Sequence, residues 1–130
     1  MNSVRVVIVA QSPFSLTLMG DLLEANDIVT ARARTPGEAS ALLESGNVDM
    51  IVVDFELGAG SPNGIDEMRR RADRLGIPML VVAERGQREA AEQVLAGCST
   101  GTVEKPIDTS AFPRKVIEEI RRHTTHNAEA

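Results

Sequence analysis

Met50-Ile51-Val52-Val53-Asp54 is a run of apolar, mostly β-branched residues closed by a carboxylate. Without polar alternation, such a run suits a parallel strand buried on both faces. Upstream, Val4–Ala10 is of the same kind, with Val6-Val7-Ile8-Val9 continuous and only Arg5 interrupting it. Ile28–Ala31, Met79–Ala83 and a weaker Gly101–Val103 follow at fairly even intervals.

Amphipathic stretches fill the gaps. Ser12-Pro13 reads as an N-cap followed by proline at the first helical position, after which Leu16, Met19 and Leu23 share one face. Thr35-Pro36-Gly37-Glu38 reads as a capping box, with Ala39, Leu42 and Leu43 turned inward. After Gly64, the positions Ile65, Met68, Ala72 and Leu75 repeat at helical spacing until Gly76 and Pro78 stop the helix. Gln87 to Ala96 form a fourth helix with Gly97 as its left-handed cap. Ser110 opens a fifth, with Phe112, Val116, Ile117 and Ile120 facing inward. One domain is expected over residues 1–122, with 123–130 as a disordered tail or the start of a linker.

Strand alternating with helix implies an α/β fold with a parallel sheet between helical layers. Right-handed crossovers restrict it to a few doubly wound orders, whose functional sites lie beyond the carboxyl ends of the strands. That directs attention to Ala10–Ser12, Asp54–Gly64, Ala83–Arg85 and Glu104–Pro106. From the fold argument alone, Asp54 and Lys105 are the pair to choose. A carboxylate ending the central strand projects into the crevice, and a lysine from the edge strand can reach it. A plain salt bridge tying two strand ends explains the pair equally well.

Composition narrows the function classes. The 130 residues carry a formal net charge of −5, which disfavours nucleic-acid binding. The basic cluster Arg69-Arg70-Arg71 with Arg74 is interleaved with Asp66, Glu67 and Asp73, as on a solvated helix face. No run approaches the roughly 18 apolar residues of a membrane span. The start lacks a secretory signal pattern, and a lone Cys98 asks for no oxidising compartment, so a cytoplasmic location is expected.

The ordered set Val6-Val7-Ile8-Val9-x-x-Ser12-Pro13, Asp49-Met50-Ile51-Val52-Val53-Asp54, Gly64, Ile77-Pro78, Gly97 and Val103-Glu104-Lys105-Pro106 resembles the receiver domain of two-component response regulators, from Val4 to about Arg122. The resemblance implies a flavodoxin-like (βα)5 fold with strand order 2-1-3-4-5. It matches Asp54 to the phosphoacceptor and Lys105 to the family's lysine, followed by Pro106. It also implies losses. The acidic pair that holds Mg²⁺ falls on Ala10 and Gln11, the hydroxyl residue of the fourth strand on Ala83, and the aromatic switch of the fifth strand on Thr102. The Gly- and Ser-rich stretch between Asp54 and Gly64 is longer than usual for the family.

These substitutions have physical consequences. Mg²⁺ wants several oxygens, anchored by one or two carboxylates. Ala10 supplies none and Gln11 at most a neutral carbonyl, which leaves Asp54, with Glu56 as a weak second candidate. Mg²⁺ is therefore expected to bind weakly, and no other cofactor is expected. Ala83 has no hydroxyl to be drawn toward a phosphoryl group, and Thr102 is too small to act as the aromatic lever, so a phosphoryl would discriminate little between two states. An ionised Asp54 paired with Lys105 is the expected resting site.

The leading reading is a non-enzymatic signalling module, an atypical receiver. Its expected partner is a histidine kinase or an output protein or domain, met through residues about 88–122, a surface that also suits a homodimer. One alternative keeps Asp54 phosphorylated by a partner kinase. Another, of a different class, is a flavodoxin-like ligand-binding domain using Ser12, Ser15 and Thr17 at the first helix's N-terminus. That loop has no glycine, and no aromatic is at hand for a flavin. Asp54-Phe55-Glu56 resembles a phosphatase DxD but follows the wrong strand, His123 and His126 lie in the tail, and Cys98 reads as a buried inert thiol.

Overall fold

The apolar runs become strands and the amphipathic stretches pack over them. The computed structural model describes residues 3–56, 64–94 and 101–129. Its elements run β1 (Arg5–Val9), α1 (Pro13–Glu24), β2 (Val29–Ala33), α2 (Pro36–Glu44), β3 (Met50–Asp54), α3 (Gly64–Leu75), β4 (Met79–Ala83), α4 (Arg88–Val94), β5 (Thr102–Glu104) and α5 (Ala111–Glu129). The five strands form one sheet in the order β2-β1-β3-β4-β5, and every neighbouring pair is parallel. This is the flavodoxin-like order expected above.

Side chains alternate between the two faces of each strand and bury a core on both. Val6, Ile8, Met50, Val52, Leu80 and Val82 meet Leu16, Met19 and Leu23 of α1 and Phe112 and Val116 of α5. Val7, Val9, Ile51, Val53, Met79 and Val81 meet α2, α3 and α4 through Ala39, Leu43, Ile65, Met68, Ala72 and Ala91. All five residues of β3 and all five of β4 are buried, which is why those segments read as uninterrupted apolar runs.

Sequence and structure part company at several ends. β2 spans Val29–Ala33 rather than Ile28–Ala31, because as an edge strand it carries exposed and polar residues that hide its extent. Its Arg32 lies across Gly20 of α1, where an added Cβ would stand 2.3 Å from the guanidinium carbon, and pairs with Asp21 and Glu24. Leu75, which continues the helical spacing of Ile65, Met68 and Ala72, is 49% exposed at the last position of α3. A 3-10 turn, Arg85–Gln87, precedes α4, so the fourth helix starts at Arg88. Its expected end at Gly97 and the neighbouring Cys98 lie outside the described residues, as does the stretch 57–63.

The capping residues are partly those read from the sequence. Ser12 Oγ accepts from Ser15 N–H at a long 3.4 Å, and Thr35 Oγ1 from Glu38 N–H at 3.1 Å. The Glu38 carboxylate reaches back to Arg34 N–H, one residue before the cap itself. α5 begins directly after Ser110, as expected, but the capping side chain is that of Asp108. Its Oδ1 accepts from Ser110 and Ala111 N–H, and those backbone donors hold its carboxyl below the usual aspartate range. α5 also runs past the expected boundary at Arg122 to Glu129. No proline or glycine interrupts residues 121–129, so nothing local stops the helix. His123 Nε2 lies 2.7 Å from the Gly76 carbonyl, which can only accept, so this ring nitrogen carries the proton.

Candidate functional site

The register of the sheet brings the strand ends to one edge. Val9 stands beside both Ala33 and Val53, Asp54 beside Val82, and Ala83 beside Glu104. The residues immediately following, Ala10, Gln11, Arg34, Glu84 and Lys105, therefore line that edge. Asp54 is two residues on from Val52, so it shares the face of the sheet that α1 and α5 cover.

Asp54 is buried, at 1% exposure. An unpartnered carboxylate there would carry a large desolvation cost, and both oxygens have company. Oδ1 accepts from Glu56 N–H at 3.0 Å. Oδ2 lies 2.9 Å from Lys105 Nζ, an ion-pair distance, although the approach is too oblique to count as a well-formed hydrogen bond. The distance is the firmer indication, since an ammonium rotates freely and its attraction to a carboxylate depends little on angle. Lys105 Nζ is also 3.9 Å from Glu56 Oε1. Its backbone is held by its own N–H donating to Ala83 O at 2.8 Å, and the Lys105–Pro106 peptide is cis.

The pair chosen from the fold argument is thus brought together. Ala10 is fully buried and its N–H donates to Ala33 O, which continues the β1–β2 ladder by one step. Gln11 is exposed. Ala83 is buried at the end of β4, whereas Thr102 is half-buried and paired with Val81. Glu56 is the second carboxylate of the crevice, with its side chain 43% exposed.

Three arrangements were not legible in the sequence. Arg34 follows β2 and donates through Nε and Nη2 to the Gln11 carbonyl, at 3.2 and 3.1 Å, so a cation stands over the β1 end of the crevice. Arg88 bridges Glu92 and Glu104 at 3.0 and 3.1 Å, ties α4 to the end of β5, and has its pKa pushed up by those two carboxylates. The Glu84 N–H is taken by Gln87 Oε1 at 3.1 Å, closing the turn after β4. Each joins charged or polar residues of kinds common on any surface. Only the alternation of β1 with β2, which places Arg34 beside Gln11, offered a clue. At the N-terminus of α1 the Ser12 hydroxyl is engaged in capping. Among the described residues no helix is long and apolar enough to cross a membrane. The charged face of α3 is laced by pairs such as Arg69–Asp66, Arg70–Asp66 and Arg71–Glu67, and Arg69 holds the Asp66 carboxyl below its ordinary range.

Comparison with known proteins adds to this geometry. Residues 6–117 match the family model of the response regulator receiver domain. A CheY-like receiver domain protein from Methanospirillum hungatei JF-1 superposes with a TM-score of 0.78 at 20% identity, covering 96% of this chain and 99% of its own. A response regulator from Thermotoga maritima gives 0.79 at 16% identity over 92% and 99% of the two chains. NtrX from Brucella abortus, solved in complex with ADP, gives 0.86 at 14% identity, with 98% of this chain matching 29% of that longer one. No curated protein matches the chain. Since the family model spans most of the sequence and the fold is shared, the chain belongs to the response regulator receiver domain family.

Proposed function

We propose that this chain is an atypical receiver that signals through protein contacts, with Mg²⁺-dependent phosphorylation of Asp54 impaired. The carrying observation is the donor set around Asp54. One oxygen is bound by Glu56 N–H and the other faces Lys105, Ala10 ends in a methyl group, and Gln11, whose backbone carbonyl is taken by Arg34, has only a neutral, solvent-exposed amide to offer. Mg²⁺ needs oxygens in near-octahedral array and is reluctant to shed water. One carboxylate, already paired with an ammonium, and a partly exposed Glu56 do not suit it. Glu56 could add an oxygen only by moving away from Lys105, 3.9 Å from its Oε1.

The buried Ala83 and the half-buried Thr102 support the second half of the reading. A phosphoryl group on Asp54 would find no side-chain hydroxyl at Ala83 and no ring at Thr102, so it would contact two states of the domain nearly alike. In this reading output depends on a protein partner, a kinase or an output domain, at the surface formed by α4, β5 and α5. The Arg88–Glu104 bridge fixes the relation of α4 to β5 there.

The test is a titration of the ¹⁵N-labelled protein with Mg²⁺, alone and with beryllofluoride, followed by amide shifts. Little change at Asp54, Lys105 and Thr102 is expected in the native chain, and a gain of at least about tenfold in Mg²⁺ affinity in the Ala10→Asp/Gln11→Asp variant. Native affinity equal to that of the variant, with shifts spreading to β5, would overturn the reading in favour of a conventional phosphorelay receiver.

A further inference from the structure

A cavity at the opposite end of the sheet has no part in the crevice around Asp54. It lies between the last turns of α2 and α3, is open to solvent on one side, is lined by Leu43, Glu44, Arg71, Arg74 and Leu75, and has a volume of about 110 Å³. Both helices end there before their chains turn into the starts of β3 and β4, so the cavity sits beyond the amino ends of the strands. Two unlike surfaces meet in it. Leu43 supplies an apolar floor, and Leu75 an apolar wall left 49% exposed although its helical spacing would place it in the core.

The charges are the second half of the observation. Every other arginine of α3 is drawn into the helix's own salt-bridge lattice, Arg69 with Asp66 and Asp73, Arg70 with Asp66. Arg71 also pairs with Glu67, at 3.5 Å, but its buried Nε has no hydrogen-bond acceptor among the described residues. Arg74 has no ion pair among the described residues. A buried donor left unmade is costly, and a guanidinium edge suits a carboxylate bidentately. Two arginines and one acid, Glu44, line the cavity, and of the two arginines only Arg71 has an ion pair among the described residues, with Glu67 outside the lining.

We propose that this cavity is a docking site for an acidic, apolar segment of a partner protein, a branched aliphatic side chain seated between Leu43 and Leu75 with a neighbouring carboxylate on Arg71 and Arg74. The volume selects this occupant. It is well below the roughly 300–1,000 Å³ of a pocket for a cofactor or drug-sized molecule, and it is of the order of a single aliphatic side chain. Charge complementarity sets the sign of the neighbour. The docking is independent of Asp54, which lies at the other end of the sheet, and of the reading proposed for it.

The probe is the pentapeptide acetyl-Ala-Glu-Leu-Ala-Ala-amide, titrated into the full chain labelled at Leu methyls and Arg side chains and followed by NMR. Saturable shifts at Leu43, Leu75 and the Arg71 Nε–H signal are expected, with a Kd on the order of 1–10 mM, as suits one side chain and one ion pair. Glu→Lys or Leu→Ser in the peptide, and Arg74→Ala in the protein, are each expected to weaken binding about two- to fivefold. Arg71→Lys keeps the charge but loses the guanidinium edge and is expected to weaken it less than Arg74→Ala and Arg71→Ala combined. Asp54→Ala is expected to leave binding unchanged. Equal binding of the Glu and Lys peptides, shifts spread away from the cavity, or no shift at about 20 mM peptide would each overturn the proposal.

Discussion

β3 and β5 each deliver one half of the Asp54–Lys105 pair, and they do so under opposite conditions. β3 is central, flanked by β1 and β4, with every residue buried. β5 is an edge strand of three half-buried residues. The carboxylate is therefore fixed by the deepest part of the molecule, whereas the ammonium comes from the residue that follows a half-buried edge strand, and its side chain is 20% exposed. The carboxylate's surroundings are decided by the core, and any adjustment of the pair falls to β5 and the long lysine side chain.

The difference can be tested first on stability. Ile51→Ala in β3 is expected to cost about 2–5 kcal/mol, as a fully buried large-to-small change does. Val103→Ala, on the half-buried β5, is expected to cost less than about 1.5 kcal/mol, being smaller and able to relax toward solvent. Urea denaturation of the two variants checks this. Equal losses would mean that β5 is as integral to the core as β3.

A smaller effect concerns the pair itself. Lys105→Met keeps most of the side chain's bulk but leaves the buried Asp54 carboxylate with Glu56 N–H as its remaining partner. The expected loss is about 1–3 kcal/mol near neutral pH, reduced by the water that reaches the lysine end. Asp54→Asn in the same background should recover part of it, since a neutral amide needs no counter-charge. Failure of that rescue would show that Lys105 acts through packing rather than charge.

The smallest expected effect lies just beyond β5. Asp108 caps α5 with its carboxyl held below the usual aspartate range by the Ala111 and Ser110 N–H groups. The sign follows from linkage: its contribution is present above the unfolded aspartate pKa, about 3.9, and is lost as pH falls through the lower folded value. Asp108→Ala should lower the melting temperature slightly at pH 7, and the gap from the native chain should close below about pH 3. A gap that persists at low pH would assign Asp108 a role other than capping.

Much of this molecule was legible in its residues. The uninterrupted runs of β1, β3 and β4 announced strands buried on both faces, and Ser12-Pro13 and Thr35-Pro36 announced helix starts, because burial and capping leave a local pattern. β2, an edge strand, has no such pattern and runs two residues past the expected Ala31, and α5 continues to Glu129 through polar residues that carry no inward-facing stripe. Leu75 continues the spacing of a buried face and is nevertheless 49% exposed, because helical spacing reports a face but not where the neighbouring helix stops.

By itself, the sequence determined the alternation of strand and helix, the pairing of Asp54 with Lys105 as the feature to inspect, and the absence of acids at positions 10 and 11. Those are properties of residue type and order. Tertiary structure alone decided that Arg34 stands over the Gln11 carbonyl, that Arg88 ties α4 to Glu104, and that Arg71 and Arg74 close a cavity with Leu43. The reason is physical. Arginines reach several ångströms from backbones far apart in sequence, and which oxygen each finds depends on strand register and helix ends rather than on any local spacing.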